Sequence, residues 1–178
     1  MYEKLIESET LFEGKIIKLI KEKVELPNGN EASREIVRHP GGVSIVALDD
    51  DNNVYMVRQY RRPFDKIMLE IPAGKLNYGE DHFECGKREL EEETGMLAKK
   101  YDFLGKFCLT PGFCDEVHYI YLARNLEKGV MHPDEDEFLE VEKIPFDELF
   151  NMIMANEISD CKTVIGILKA KAFLENEK

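Results

Sequence analysis

The chain has no tryptophan, only four cysteines, and too few cations for its acids: 24 Lys and Arg against 36 Asp and Glu, a formal net charge of −12. A surface so short of positive charge excludes a general nucleic-acid or anionic-membrane binder. It does not exclude an anionic small molecule, because bound metal reverses the local field. No apolar run approaches the length of a membrane span. The opening residues, MYEKLIESETLFEGK, lack the basic and apolar regions of a secretion signal, so a cytoplasmic protein is expected. Cys85, Cys108, Cys114 and Cys161 show no C-x-x-C spacing and read as reduced thiols serving as small buried hydrophobes. No internal repeat, low-complexity segment or dividing linker is present. At 178 residues, one domain with a substantial core is expected, with a small N-terminal addition.

The first third reads as strands. Residues 15–26 alternate in their second half, where Ile20, Val24 and Leu26 share a face interrupted by Glu22. Pro27-Asn28-Gly29-Asn30 supplies a turn before a strand at 34–39, and Pro40-Gly41-Gly42 breaks the chain. Strands are expected at 43–48, 54–60 and 67–71, then at 101–109, 117–123 and 139–144. Helices are expected at 81–94, 146–156 and 161–175. Ser159 or Asp160 can cap the last, with Val164, Ile165, Leu168 and Ala172 facing inward. Strands interleaved with one helix and closed by two more suggest an α/β sandwich with a mixed sheet.

The chemistry concentrates between Gly74 and Met96, GKLNYGEDHFECGKRELEEETGM. Asp81 and Glu84 suit a capping box, and Gly95 suits a helix stop. Phe83, Gly86, Leu90 and Thr94 recur at helical steps and would face the core. Glu89, Glu92 and Glu93 fall on another face, where like charges oppose the helix by roughly a few tenths of a kcal/mol per pair. A divalent cation would convert that repulsion into ligation, and an all-oxygen set favours Mg²⁺ or Mn²⁺. A solvated acidic face is the ordinary reading of such a run. Arg88, just before the cluster, suits a guanidinium clamp on the glutamates.

Gly74, Glu80, Arg88-Glu89-Leu90, Glu92-Glu93 and Gly95-Met96 fill every fixed position of G-x5-E-x7-R-E-U-x-E-E-x-G-U, with U apolar. The chain therefore resembles the Nudix hydrolases, which use divalent metal to cleave diphosphates linked to another group. Outside the box, GKIIKLIKEKVELPNG, REIVRHPGGVSIVAL, RQYRRP and LEIPAGKL look like the ADP-ribose pyrophosphatase branch, as does Pro111, sixteen residues past Gly95. The resemblance implies a Nudix-type α/β/α sandwich with mixed sheet over residues 39–178. It also implies N-terminal antiparallel strands over 1–38 that pair across a two-fold axis, making a homodimer.

By the same resemblance Glu89 and Glu93 are the principal metal-binding glutamates, Glu92 is a further ligand, and Ala73 lends its backbone. Two or more Mg²⁺ (or Mn²⁺) ions would act per site. Arg61 matches a substrate-contacting arginine, with Arg34, Glu35, Arg38 and Arg58 as further candidates for the nucleotide end. Phe113 could stack on a base, but the core is its expected place. Glu137, or Glu135, is the expected general base on an acidic loop. The implied reaction is Mg-dependent hydrolysis of ADP-ribose to AMP and ribose 5-phosphate. Another nucleoside diphosphate sugar, or a non-catalytic ligand-sensing domain, are the alternatives. The lack of Trp removes the S-Q-P-W-P-F-P-x-S marker of NADH pyrophosphatases.

Overall fold

Gly42–Leu48 is a strand in which every residue is buried. An apolar strand without polar alternation needs cover on both faces, and that requirement organises the fold. The computed structural model describes every residue except Glu135, Asp136 and Lys178. The elements in chain order are β1 Lys4–Glu13, β2 Lys18–Glu25, β3 Glu31–Arg38, β4 Gly42–Leu48, β5 Asn53–Arg61, β6 Lys66–Glu70, β7 Ala73–Lys75, α1 His82–Thr94, β8 Met96–Cys108, β9 Val117–Lys128, β10 Leu139–Pro145, α2 Phe146–Met154 and α3 Cys161–Asn176. They form a three-stranded sheet, β1-β2-β3, and a seven-stranded sheet ordered β10-β5-β4-β9-β8, with β6 paired to β5 and β7 to β4.

The chain divides into two compact units. One comprises Met1–Gly41 with Phe107–His118, the other Gly42–Lys106 with Tyr119–Lys178. In the first, β2 pairs antiparallel with β1 and with β3. Ile20 and Val24 are its buried apolar residues, and all ten residues of β1 are exposed. Residues 107–118 join through Val37, whose N–H donates to the Phe113 carbonyl at 2.7 Å. Phe113 itself is 56% exposed rather than in the core. It follows the Thr110-Pro111-Gly112 turn, closed by the Cys114 N–H on the Thr110 carbonyl at 3.0 Å, and this turn carries the ring outward.

In the second unit β4 divides its residues between two helices. Val43 and Ile45 belong to a cluster with Cys85 and Leu90 of α1, joined by Ala47, Met96, Tyr121 and Ala123. Each fully buried aliphatic side chain of this kind contributes roughly 1.5–3 kcal/mol. Asp81 caps α1, its Oδ1 accepting from the N–H groups of Phe83 at 2.9 Å and Glu84 at 3.2 Å. Glu84 pairs with Lys87 at 2.6 Å. On the alternate face of β4, Val46 meets α3 at Gly166, where an added Cβ would fall 3.0 Å from Val46 Cγ2 and 2.9 Å from Ile71 Cδ1. The buried residues of α3 are Thr163, Gly166, Ile167 and Ala170. That face is rotated from the expected one, and Leu168 is exposed. Small side chains let the helix lie close to the sheet, so closeness decided the face more than apolar bulk. Asp160, not Ser159, is the cap, accepting from the Thr163 N–H at 2.9 Å.

Candidate active site

α1 carries two carboxylates into the interior, Glu89 at 7% and Glu93 at 2% exposure. One turn separates them, so they lie above one another on the same face. The wall opposite is β7, whose antiparallel pairing sets Val43 beside Gly74 and Ser44 beside Ala73. The Ala73 N–H donates to Glu93 Oε2 at 2.9 Å. A Cβ built on Gly74 would lie 1.9 Å from the Glu89 carboxylate carbon. Only glycine leaves that space open.

Arg88 holds the rim. Its Nε donates to Glu80 Oε1 at 3.0 Å, and its Nη1 reaches Glu92 Oε2 at 2.7 Å and Glu89 Oε1 at 2.8 Å. Burial works against its charge, yet hydrogen bonding to Glu80 and the charge of Glu89 hold the guanidinium above its ordinary pKa. One cation thus serves three carboxylates. Burial pushes the Glu93 carboxyl up to about 8, Glu89 and Glu137 adding repulsion and the Ala73 hydrogen bond opposing. Burial pushes Glu89 up to about 7 against Arg88, with Glu92 and Glu137 reinforcing. Glu137 therefore lies within electrostatic reach of both buried carboxylates.

A second charged group adjoins the first. Arg61, at the end of β5, is bidentate on Glu70 at 2.7 Å for both Nε and Nη2, and Glu70 is 1% exposed. Its pKa is raised first by those hydrogen bonds and further by the charges of Glu70, Glu93 and Asp160. Lys162 Nζ donates to Glu70 Oε2 at 3.3 Å and to Asp160 Oδ1 at 2.6 Å. Thr163 Oγ1 donates to Asp160 at 2.7 Å and accepts from the Ile71 N–H at 2.9 Å.

The acidic set suits a hard divalent cation in its chemistry. It offers carboxylate oxygens, of which Glu89 and Glu93 are raised toward protonation first by burial and further by repulsion from neighbouring carboxylates. Among the described residues no three His, Cys, Asp or Glu side chains are already gathered as a metal cage. Arg88 pairs with Glu89 and Glu92, and the Ala73 N–H donates to Glu93.

Comparison with known proteins agrees with this arrangement. The NUDIX domain profile matches residues 38–161, more than half of the chain. The chain belongs to the Nudix family. Residues 3–37 match the nucleoside diphosphate sugar hydrolase N-terminal domain. An ADP-ribose pyrophosphatase of Bacillus subtilis is 43% identical, over 99% of this chain and 97% of the relative. A methanol dehydrogenase activator of Bacillus methanolicus is 45% identical, over 93% and 90%. A solved ADP compounds hydrolase shares the fold, with a TM-score of 0.88 at 21% identity, over 99% of this chain and 96% of that one.

In this Nudix chain α1 and β7 bring Arg88, Glu89, Glu92, Glu93 and Ala73 together, with Glu137 and Arg61 in reach. Glu135 lies outside the described residues. Arg58 pairs with Glu142 at 2.8 Å, joining β5 to β10. Arg34, Glu35 and Arg38 belong to the N-terminal unit. There Arg34 Nε donates to Glu3 at 3.0 Å, Arg38 Nη1 donates to Asp115 at 3.0 Å, and Glu35 is exposed opposite Lys21. Glu70 and Lys162 were not singled out in the sequence. The one signal was a lone glutamate, Glu70, between the apolar residues Ile67-Met68-Leu69 and Ile71.

Proposed function

We propose that the chain is a divalent-metal-dependent ADP-ribose diphosphatase, releasing AMP and ribose 5-phosphate. The observation that carries the reaction class is the buried Glu89–Glu93 pair facing Ala73-Gly74 with too little countercharge. The substrate is supported by two relatives named ADP-ribose pyrophosphatase, that of Bacillus subtilis and one of Mycobacterium tuberculosis, 36% identical over 94% of this chain. Glu89, Glu92 and Glu93, with the Ala73 backbone, would hold Mg²⁺ or Mn²⁺, two or more ions per site. Bound metal supplies charge neutralisation on the diphosphate oxygens and a more acidic water. Arg88 keeps the glutamates aligned, and Arg61 offers a cation to the diphosphate. Glu137 takes the proton of the attacking water onto its carboxylate, worth ~10²–10⁴-fold. Because burial raises the Glu89 and Glu93 carboxyls toward neutrality, ligation must also release protons.

We further propose a homodimer, with residues 1–38 as the dimerisation element and 39–178 as the hydrolase domain. β1 is wholly exposed and carries Leu5, Ile6, Leu11 and Phe12, an apolar edge that a second copy would cover. Arg34 and Glu35 could then serve a partner's site once Arg34 leaves Glu3. Four free thiols suit the cytoplasm, and no described helix is long and apolar enough to cross a membrane.

The deciding experiment is product analysis on a panel of nucleoside diphosphate sugars, with Mg²⁺ and with excess chelator. AMP from ADP-ribose only when metal is present is expected. Turnover that survives full chelation removes the mechanism. Preference for a different sugar nucleotide keeps the mechanism and replaces the substrate.

A further inference from the structure

Asp160 needs only Thr163 to cap α3, yet the same carboxylate also holds Lys162. That lysine is surplus to the cap. Its side chain is only 16% exposed, and a Lys ammonium is seldom withdrawn from water without a charged partner. It has two, since it bridges Asp160 and Glu70. Glu70 in turn uses both oxygens on Arg61. The group therefore closes its charges, Arg61 and Lys162 against Glu70 and Asp160.

Consider Arg61 without Lys162. Two buried carboxylates would face one guanidinium, and the group would carry a net negative charge beside Glu93, itself anionic when metal is bound. An incoming diphosphate would meet repulsion where it needs a cation. With Lys162 in place the two carboxylates are offset, and Glu70 can orient Arg61 without cancelling it. Bidentate pairing fixes the plane of the guanidinium through Nε and Nη2.

We infer that Lys162 is a positioning residue for diphosphate binding, acting through Glu70 and Asp160 on Arg61. The inference rests on the reading that Arg61 meets the substrate's diphosphate. It predicts effects on affinity, with opposite signs for opposite charges in the group.

The test combines calorimetric titration with inorganic pyrophosphate in Mg²⁺ buffer, corrected for the heat of Mg²⁺–pyrophosphate association, and kinetics on ADP-ribose with Mg²⁺. Lys162→Met should weaken pyrophosphate binding and raise KM by ~10-fold, the scale of one charged hydrogen bond, with kcat changed less than ~2-fold. Lys162→Arg should restore both. Asp160→Asn keeps the cap acceptor but removes a negative charge, so affinity should hold or increase. A merely structural lysine would lower Tm in Lys162→Met while leaving KM and pyrophosphate affinity intact, and that result overturns the inference. So does Asp160→Asn weakening binding as much as Lys162→Met, or wild-type protein that does not bind pyrophosphate. If Lys162→Met does not fold, the Asp160→Asn arm still decides the sign. Absence of ADP-ribose turnover in the wild type would fail the proposed activity alone, because the pyrophosphate titration reads binding without turnover.

Discussion

Two sets of buried carboxylates lie in the same unit, and only one has its charge balanced. Glu70 and Asp160 meet Arg61 and Lys162 through hydrogen bonds of 2.6–3.3 Å. Burial works against the Asp160 charge, but Lys162 and Thr163 hold its pKa below the ordinary value. Glu89 and Glu93 are buried as deeply, and the Arg88 beside them is divided among Glu80, Glu89 and Glu92. Both of their carboxyls rise instead. A balanced buried pair persists as structure, whereas an unbalanced one is a standing cost that makes sense only if something cationic binds there. The contrast separates a scaffold from a site.

The largest effect should come from breaking the unbalanced set. Glu93→Gln keeps shape and removes charge, so kcat should fall by ~10²-fold or more. The same change should raise the Tm of metal-free protein at pH 8, because it deletes a buried charge. Loss of activity accompanied by loss of fold would instead make Glu93 structural.

Titration of the metal-free protein sharpens the contrast. Glu89 and Glu93 have folded pKa values of about 7 and about 8 against an ordinary 4.5. Between pH 4.5 and 8 the folded state holds more protons than the unfolded one, so stability falls as pH rises through that window. Asp160 has the opposite sign, its contribution being present above its ordinary pKa and lost only as pH falls through the depressed value. For Glu89 and Glu93 together, the loss on going to pH 8 is on the order of 3 kcal/mol, or roughly 6–12 °C in Tm. Saturating Mg²⁺ should recover most of it, more at pH 8 than at pH 5.5. An apo Tm that is flat or rising between pH 5 and 8 would contradict the unbalanced pair.

Gly166→Ala addresses the scaffold. The new Cβ would meet Ile71 Cδ1 and Val46 Cγ2 at 2.9 and 3.0 Å, so α3 must shift at a cost of ~1–3 kcal/mol by denaturant titration. Since α3 carries Asp160 and Lys162, KM should rise while kcat changes little. A fall in kcat with KM unchanged would mean that the two sets are not separable.

The sequence was most legible where contacts are local. The face shared by Glu89 and Glu93 follows from helical spacing alone, and Asp81 as cap from its place before α1. What failed were features set by distant partners. Glu70 and Lys162 are 92 positions apart, so no window shows them as a pair. β1 escaped because a strand with every residue exposed has no burial pattern to read. The α3 face was misplaced because Val164, Ile165, Leu168 and Ala172 outrank Thr163 and Gly166 in apolarity, while the sheet selects for small size. β7, three residues long, is too short for any periodicity, yet it supplies the wall of the site.

The smallest effect should belong to Glu91, and it is the most discriminating for the helix itself. Glu91 interrupts the run Glu89 to Glu93 and its spacing puts it off the buried face. It is nevertheless half-buried, with the Val130 N–H 3.5 Å from its Oε1. Nearby, the Gly129 N–H donates to the Gly95 carbonyl at 2.8 Å and the His132 N–H to the Glu92 carbonyl at 3.1 Å. The segment leading to Glu137 is thus tied to the end of α1, and Glu91 is one of its weaker ties. Glu91→Gln keeps an acceptor for Val130, so kcat should change by less than ~3-fold and stability by no more than ~0.5 kcal/mol. Glu91→Ala removes the acceptor and should cost somewhat more in kcat. Glu84→Gln, on the exposed first turn and paired with Lys87, is the neutral control. Were Glu91→Gln as damaging as Glu93→Gln, charge anywhere on α1 would matter equally, and the division between a buried metal face and an outer face would fail.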